Sequence, residues 1–555
     1  MPKRIKKPPA VSPWDSEVRL LLWLATCVSV LSFLYYYQRG EVMLYGDAVA
    51  HMNIARRVFD SKTPGLLQLG TVWLPLPHLL MIPFLISKQM WQSGLGGSVP
   101  SLAGYVFGVV GIFRLVRGML TQSVRRDLTA HVAAWMAALI YAANPNLTYM
   151  QTTAMGETVY LAFFIWAVVY FSESWRGDLR ALTKCGLCLA AACLTRYDGW
   201  LLAAAMAGTV VLQSFLQRKP GLSRAAAIRF VLIAGAAPAL WISYNGIVYR
   251  NPLEFANGPY SAKAIEQRTQ SAGNVGHPGT DHPLTAALYF VKSAEESVAP
   301  NEWSQRAWIL LALAGFLAAA LAFRRGRPGE NSPAAPGTIF PLLFLLVPVL
   351  FYSLSVAYGG VPVFVPAWWP FTMYNVRYGL QVAPTFAVGL ALIVWLVSRS
   401  AAWSARLRFI CALAVLLFVG ASYASVWRAG PVCLREAEVN MRTRNQLETQ
   451  LAGWLQKLPS DATLLMYLGD HVGAVQRAGI PLKDVINEGN HRVWKQPSDP
   501  DGLWERALAD PARYADYVVA FEGDPVWKAV QSDHLKELVQ IHVTGQSWAI
   551  LYRAR

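Results

Sequence analysis

Six cysteines among 555 residues are too few and too badly placed for a disulfide framework. Cys27, Cys185, Cys188, Cys193 and Cys411 fall in apolar stretches, and Cys433 has no evident partner, so no disulfide is expected. The close trio Cys185, Cys188 and Cys193 reads as packed or lipid-facing small residues rather than a metal site. His277-Pro278-Gly279-Thr280-Asp281-His282 has two histidines but not zinc-site spacing, and its Pro and Gly make it a turn-rich loop. Internal repeats and inverted half-and-half symmetry are also missing, which weighs against a secondary transporter. Acidic residues are scarce, 33 against 49 basic ones, for a net charge of +16. That excess does not point to nucleic acid. It sits in the N-terminal stretch Met1 to Lys7 and in short links between apolar runs, the pattern that sets membrane topology. The first apolar run, Leu20 to Tyr37, has no small-residue cleavage site and reads as an uncleaved anchor.

What is abundant is apolar. Hydrophobic residues make up 54% of the chain, and mean hydropathy is +0.32. Soluble domains hold about 45–50% apolar residues. Runs of about 18–22 apolar residues recur through the first 430 positions, long enough to cross a hydrocarbon core of about 30 Å. The 21 Trp and 23 Tyr suit two interfacial belts. The expected fold class is an α-helical polytopic membrane protein with a small C-terminal α/β domain.

The basic links set the expected topology. They lie at Gln122 to Arg126, Trp175 to Lys184, Gln217 to Arg229, Phe323 to Arg327 and Ser398 to Arg408. Placing them in the cytoplasm gives spans near 19–37, 99–120, 128–147, 156–174, 181–196, 197–217, 226–247, 306–323, 338–358, 373–397 and 405–427. That is about eleven crossings of the inner (plasma) membrane. Residues 1–18 form a cytoplasmic tail, 19–428 the transmembrane domain and 429–555 an extracytoplasmic domain. Leu74 to Trp91 is apolar too, but a crossing there would invert every later link. Pro75, Pro77 and Pro83 also weaken it as a straight helix, so it is expected to be interfacial or re-entrant. The first outward loop then covers 38–98, the second long one 248–305 and a shorter one 359–372. In the C-terminal part, Ala462 to Tyr467, Tyr517 to Phe521 and Ser547 to Tyr552 read as strands, with helices near 436–457 and 502–509. Gly469-Asp470-His471 follows the first strand, where ligands often bind in α/β sheets.

The unusual charges gather near the outward ends of helices. Asp47, in Gly46-Asp47-Ala48, stands just beyond the first span, with His51 and Ile54 on the same helical face. A carboxylate there also serves as a helix-start charge. Arg196-Tyr197-Asp198 interrupts an apolar stretch, where charge costs about 2.5–3.5 kcal/mol on insertion scales and is paired or functional. Arg377-Tyr378 follows Trp368-Trp369-Pro370-Phe371 at the start of a late span. Tyr260, in Asn257-Gly258-Pro259-Tyr260, belongs to a loop suited to gating a substrate.

An acid after the first span, a short amphipathic helix and then a proline-rich apolar helix resemble the GT-C glycosyltransferases. That superfamily includes protein O-mannosyltransferases, the aminoarabinose transferase of lipid A and oligosaccharyltransferase catalytic subunits. Asp47 matches the family's first-loop catalytic acid. Trp73-Leu74-Pro75-Leu76-Pro77-His78 resembles its proline-rich lead into the juxtamembrane helix; in the lipid A branch that motif carries a Lys, and here His78 stands nearby. Asn144 to Met150 followed by Gly156-Glu157 resembles its second-loop turn and acid, and Arg377-Tyr378 its late Arg-Tyr. The resemblance implies an inverting transfer from a polyprenyl-phosphate-linked sugar to a protein, lipid or glycan acceptor. Asp47 is the base. The expected substrate contacts are His51, His78, Glu157, Arg196, Asp198, Tyr260, Arg377 and Tyr378. The two arginines are the best phosphate partners, since guanidinium stays charged and can bind two oxygens. Glu157 is either such a contact or a cap on its own helix. The oligosaccharyltransferase branch holds a divalent ion between first- and second-loop acids, here Asp47 and Glu157. Its Trp-Trp-Asp motif does not occur in the C-terminal part, so metal-independent chemistry with no cofactor is expected. The competing readings are a transporter or flippase of envelope precursors and a non-catalytic assembly scaffold.

Overall fold

A computed structural model describes residues 15–121, 128–216, 222–271, 273, 275–325, 339–400, 403–469, 471–491, 498–531 and 535–555. The N-terminal basic tail, the link at 122–127, much of the links at 217–221 and 326–338, and Asp470 lie outside the described residues. Eight described helical stretches are long and apolar enough to cross a membrane, among them Ser16–Gln38, Leu95–Leu120, Glu157–Trp175, Phe340–Tyr358 and Val376–Arg399. The chain is a multi-pass membrane protein. The other expected spans form shorter or less apolar helices, Leu128–Ala142, Leu179–Cys193 and Asp198–Phe215. The span expected over 128–147 stops at Ala142 because a new helix, Pro145–Met150, begins there. Asn144 precedes a proline, which disfavours helical backbone, and its side chain accepts hydrogen bonds from the Asn146 and Leu147 amides instead.

Leu74 to Trp91 folds as two pieces, Leu76–Leu85 and Lys88–Gln92, with Ser87 capping the second. Ten helical residues span about 15 Å, half a hydrocarbon core. All six cysteines are free.

Helices Leu95–Leu120 and Glu157–Trp175 approach closely because Gly104 and Gly111, seven residues apart, line the contact. A methyl at Gly104 would lie 2.7 Å from the Thr158 carbonyl oxygen. The Ser101 hydroxyl donates to Met155 O (2.7 Å), and that of Thr158 donates to Ser101 O (2.9 Å). Gly104→Ala is therefore expected to cost about 1–3 kcal/mol by overpacking. Gly208→Ala, with nothing within 4 Å, should be close to neutral. Thermal unfolding of the two purified variants checks this pair.

The last membrane helix, Ala405–Ala429, breaks at Gly430-Pro431, and helix Val432–Leu455 follows. Five strands come after it: β1 Leu464–Met466, β2 Val485–Ile486, β3 Tyr517–Phe521, β4 Lys536–Ile541 and β5 Ala549–Arg553. Their order is β2-β1-β3-β5-β4, with β1 parallel to β2 and β3, and β5 antiparallel to β3 and β4. The two strands beyond the expected three are a two-residue piece and an edge strand with mostly exposed residues, neither of which makes an apolar run. This domain is docked on the first loop. Gln476 accepts from Asn53 Nδ2 (2.8 Å) and donates to Trp91 O (2.7 Å), while the Lys483 amide donates to Asp60 (3.0 Å).

Candidate active site

Helix Gly46–Arg57 puts Asp47 in its first turn. Glu157 is the first residue of Glu157–Trp175, and Asp198 the first of Asp198–Phe215. The positive end of each helix dipole favours these carboxylates. Their convergence at one end of the bundle is tertiary, and it centres on two arginines.

Arg377 stands in a 3₁₀ turn, Val376–Val382, that follows Asn375, whose backbone is left-handed (φ 56°). Its guanidinium meets three carboxylates. Nη2 donates to Asp47 Oδ2 (2.7 Å), Nη1 to Glu436 Oε1 (2.7 Å) and Nε to Glu157 Oε1 (3.3 Å). Arg196 donates from Nη1 to the same Glu157 oxygen (3.0 Å) and from Nη2 to the Tyr352 hydroxyl (2.8 Å). That hydroxyl donates to Asp198 Oδ2 (3.2 Å), and Arg196 Nε lies 3.7 Å from Asp198 Oδ1. The Tyr378 ring lies between the two cations, 4.8 Å from Arg196 Cζ and 5.1 Å from Arg377 Cζ, and it stacks on Tyr352. Glu157 thus bridges both arginines rather than only capping its helix.

Exposure divides the cluster. The side chain of Arg377 is 7% exposed, that of Glu157 1% and that of Glu436 0%, but that of Asp47 is 42% exposed. One carboxylate therefore faces an accessible surface while the cation holding it is buried. Glu157 Oε2 is buried without a hydrogen-bond partner among the described residues. Among those residues no three His, Cys, Asp or Glu side chains converge as metal ligands. Asp47 and Glu157, the acids that would hold a divalent ion, both contact the Arg377 guanidinium.

The histidines form a separate pair. His51 Nδ1 and His78 Nε2 are 2.7 Å apart, both rings are buried, and Trp73 packs 4.6 Å from His51, centroid to centroid. No hydrogen bond joins His51 to Asp47 among the described residues. Burial, with the charges of Arg377 and Arg196 nearby, pushes His51 down to about 3, and burial holds His78 well below the usual histidine range. Both rings are thus neutral in the folded protein, whereas the unfolded chain takes up protons below about pH 6.5. Their contribution to stability is complete above that pH and is lost on acidification toward the folded values. At pH 4.5 His51 alone should cost about 3 kcal/mol relative to pH 7. The unfolding temperature is expected to fall between those pH values, and less so in His51→Gln/His78→Gln.

Tyr260 is exposed on the loop before helix Ala262–Ser271, outside this cluster. His277 is tied to Glu266 (2.7 Å) and to Val356 O (2.8 Å). His471 stacks on Phe521.

Sequence reasoning missed two members of the cluster and one residue beside it. Glu436 comes from helix Val432–Leu455, whose start is pinned by Tyr45, donating to Cys433 O (2.7 Å), and by Asn146, accepting from the Cys433 amide (2.9 Å). It gave no sequence signal, being one of several charged residues on that helix. Tyr352 gave none, being a tyrosine inside an apolar span. The third is Arg444, two turns beyond Glu436, whose guanidinium lies against Gly46 where any side chain would collide.

At the sequence level the chain matches no family model and no curated protein. Its fold does match solved structures. One is ArnT from Cupriavidus metallidurans bound to undecaprenyl phosphate, with TM-score 0.52, 14% identity and coverage of 97% of this chain and 98% of that one. The apo form of ArnT matches with TM-score 0.53, 14% identity and coverage of 97% and 99%. The Archaeoglobus fulgidus oligosaccharyltransferase in its apo form is more distant, with TM-score 0.46, 12% identity and coverage of 91% and 69%. From the first loop to the C-terminal domain, the chain has the GT-C fold.

Proposed function

We propose that this protein is an inverting glycosyltransferase that moves a sugar from a polyprenyl-phosphate-linked donor to an acceptor at the outer face of the cytoplasmic membrane. One observation carries the reading. An accessible carboxylate, Asp47, sits 2.7 Å from a buried guanidinium, Arg377, at the helix ends of a bundle with the GT-C fold. Buried ion clusters are weak devices for stability, because desolvation offsets their attraction. Their occurrence beside an accessible carboxylate favours chemistry.

The step needs a base and a partner for the departing anion. The acceptor hydroxyl oxygen attacks the anomeric carbon on the face opposite the phosphate. The carbon–oxygen bond to phosphate breaks, its electron pair leaves with the carrier phosphate, and the hydroxyl proton passes to Asp47. Configuration at the anomeric carbon inverts. Arg377, with Arg196 behind it, stabilises charge as it builds on the leaving phosphate. Glu157, buried and bonded to both arginines, holds the two cations together. ArnT was solved with undecaprenyl phosphate bound, and a polyprenyl phosphate is the carrier proposed here. The N-terminus then lies in the cytoplasm of a cell bounded by this inner membrane, and the docked C-terminal domain outside.

Lipid mass spectrometry on a deletion strain tests the assignment. A sugar linked to polyprenyl phosphate should accumulate and disappear on complementation. An unchanged lipid profile, together with no transfer of labelled lipid-linked sugar by the purified protein, would remove the reading.

A further inference from the structure

We propose that Glu436 is a positioning residue for the carrier phosphate. A carboxylate from beyond the last membrane helix orients Arg377 and so sets the site's preference for a charged over an uncharged polyprenyl lipid. This rests on the reading that the site takes a polyprenyl phosphate.

The argument begins with what Glu436 contacts. It is fully buried, and its oxygens accept from one short stretch of chain. Oε1 accepts from the Asn375 amide (3.0 Å) and from Arg377 Nη1 (2.7 Å), and Oε2 accepts from the Arg377 amide (3.3 Å). The same side chain therefore fixes both the backbone turn that carries Arg377 and the end of its guanidinium. Asn375 Nδ2 donates to Pro362 O (2.8 Å), holding the turn from its other side. Glu436 itself cannot drift, since Tyr45 and Asn146 clamp Cys433 one turn earlier.

A guanidinium is a rigid planar fork. Glu436 holds Nη1 and Glu157 holds Nε, both from the buried side. The Tyr45 and Tyr378 rings each lie 5.1 Å from Cζ. Nη2 is the corner left on the exposed side, where Asp47 now bonds to it. An arriving anion meets that corner. Without Glu436 the fork is free to pivot about its Glu157 contact, and the corner is no longer presented. Glutamine cannot stand in. Both oxygens of Glu436 face N–H donors, so a glutamine amide group would point at a donor on one side.

The test uses the purified full-length protein in detergent, with undecaprenyl phosphate and undecaprenol as probes and native mass spectrometry as readout. The ratio of the two affinities is the quantity of interest. In wild type the phosphate should be preferred. In Glu436→Gln that preference should fall about tenfold or more, and Glu436→Asp, which keeps the charge, should recover part of it. If Glu436→Gln weakens both lipids equally, the residue is merely structural and the proposal is overturned. An unchanged ratio overturns it too. Should Glu436→Gln fail to fold, Glu436→Asp decides: a smaller but selective loss of phosphate preference supports the proposal, and a wild-type ratio refutes it. Wild-type protein with no preference for the phosphate would sink the functional reading as well, whereas a wild-type preference retained by the variants sinks this inference alone.

Discussion

Asp47→Asn is expected to lower sugar transfer by about 10²–10⁴-fold, the usual worth of a positioned general base, while leaving the protein folded. Asparagine has the same shape, and its amide oxygen can still accept from Arg377 Nη2. What it loses, on the proposed mechanism, is the ability to take the acceptor's proton. The stability cost should be small, about 0–1 kcal/mol, because the Asp47 side chain is 42% exposed and water screens its ion pair. The assay is transfer from a labelled polyprenyl-phosphate sugar in proteoliposomes, with the thermal midpoint measured in parallel. Transfer at the wild-type rate would show that some other group is the base. A fall in rate matched by a fall in midpoint would point to folding instead.

Replacing Arg377 should act through a different quantity. Arg377→Met removes the cation that Glu436 and Glu157 share, and these carboxylates are 0% and 1% exposed. Breaking a buried pair from one side costs about 3–5 kcal/mol, because it leaves a charge uncompensated in a low-dielectric setting. Arg377→Met is therefore expected to unfold many degrees below wild type and to accumulate poorly. Arg377→Lys should fall between the two, since a single ammonium cannot satisfy three carboxylates in different directions. The decisive comparison is Arg377→Met/Glu436→Gln. Removing the stranded charge should return part of the lost stability, so the two changes should not add. Additive losses would mean that Glu436 and Arg377 are not energetically coupled. Wild type, the single variants Arg377→Met, Arg377→Lys and Glu436→Gln, and the double variant can be compared by thermal unfolding in one detergent.

The helical framework was legible because a membrane span is written as length and apolarity. Expected limits such as 156–174 and 405–427 correspond to Glu157–Trp175 and Ala405–Ala429. The prolines of Leu74 to Trp91 announced short helices for the same local reason. Asp47, Arg196, Asp198 and Arg377 stood out because charge in an apolar neighbourhood is conspicuous, and the structure brings all four into one network. Glu436 was hidden by its surroundings. Helix Val432–Leu455 carries Arg435, Glu438, Arg442, Arg444 and Glu448, and one carboxylate in such company gives no sign of being buried. Both histidines were noticed, but their sequence spacing of 27 does not reveal that the loop folds back to place them on each other. The boundary at Ala142 was local and readable from Asn144-Pro145, yet an apolar run on both sides masked it.

The network around Arg377 also has a history in time. Its parts leave the ribosome in the order Asp47, Glu157, Arg196, Asp198, Arg377, Glu436. Glu157 and Arg196 are 39 residues apart, so the early half of the site neutralises itself while the bundle is still being inserted. Glu436 follows Arg377 by 59 residues. At about 5–20 residues per second, Arg377 waits about 3–12 s for its last counter-ion. Until then the chain has most of its membrane helices and no finished site. A half-made chain in the membrane thus lacks the buried carboxylate that completes the charge balance around Arg377.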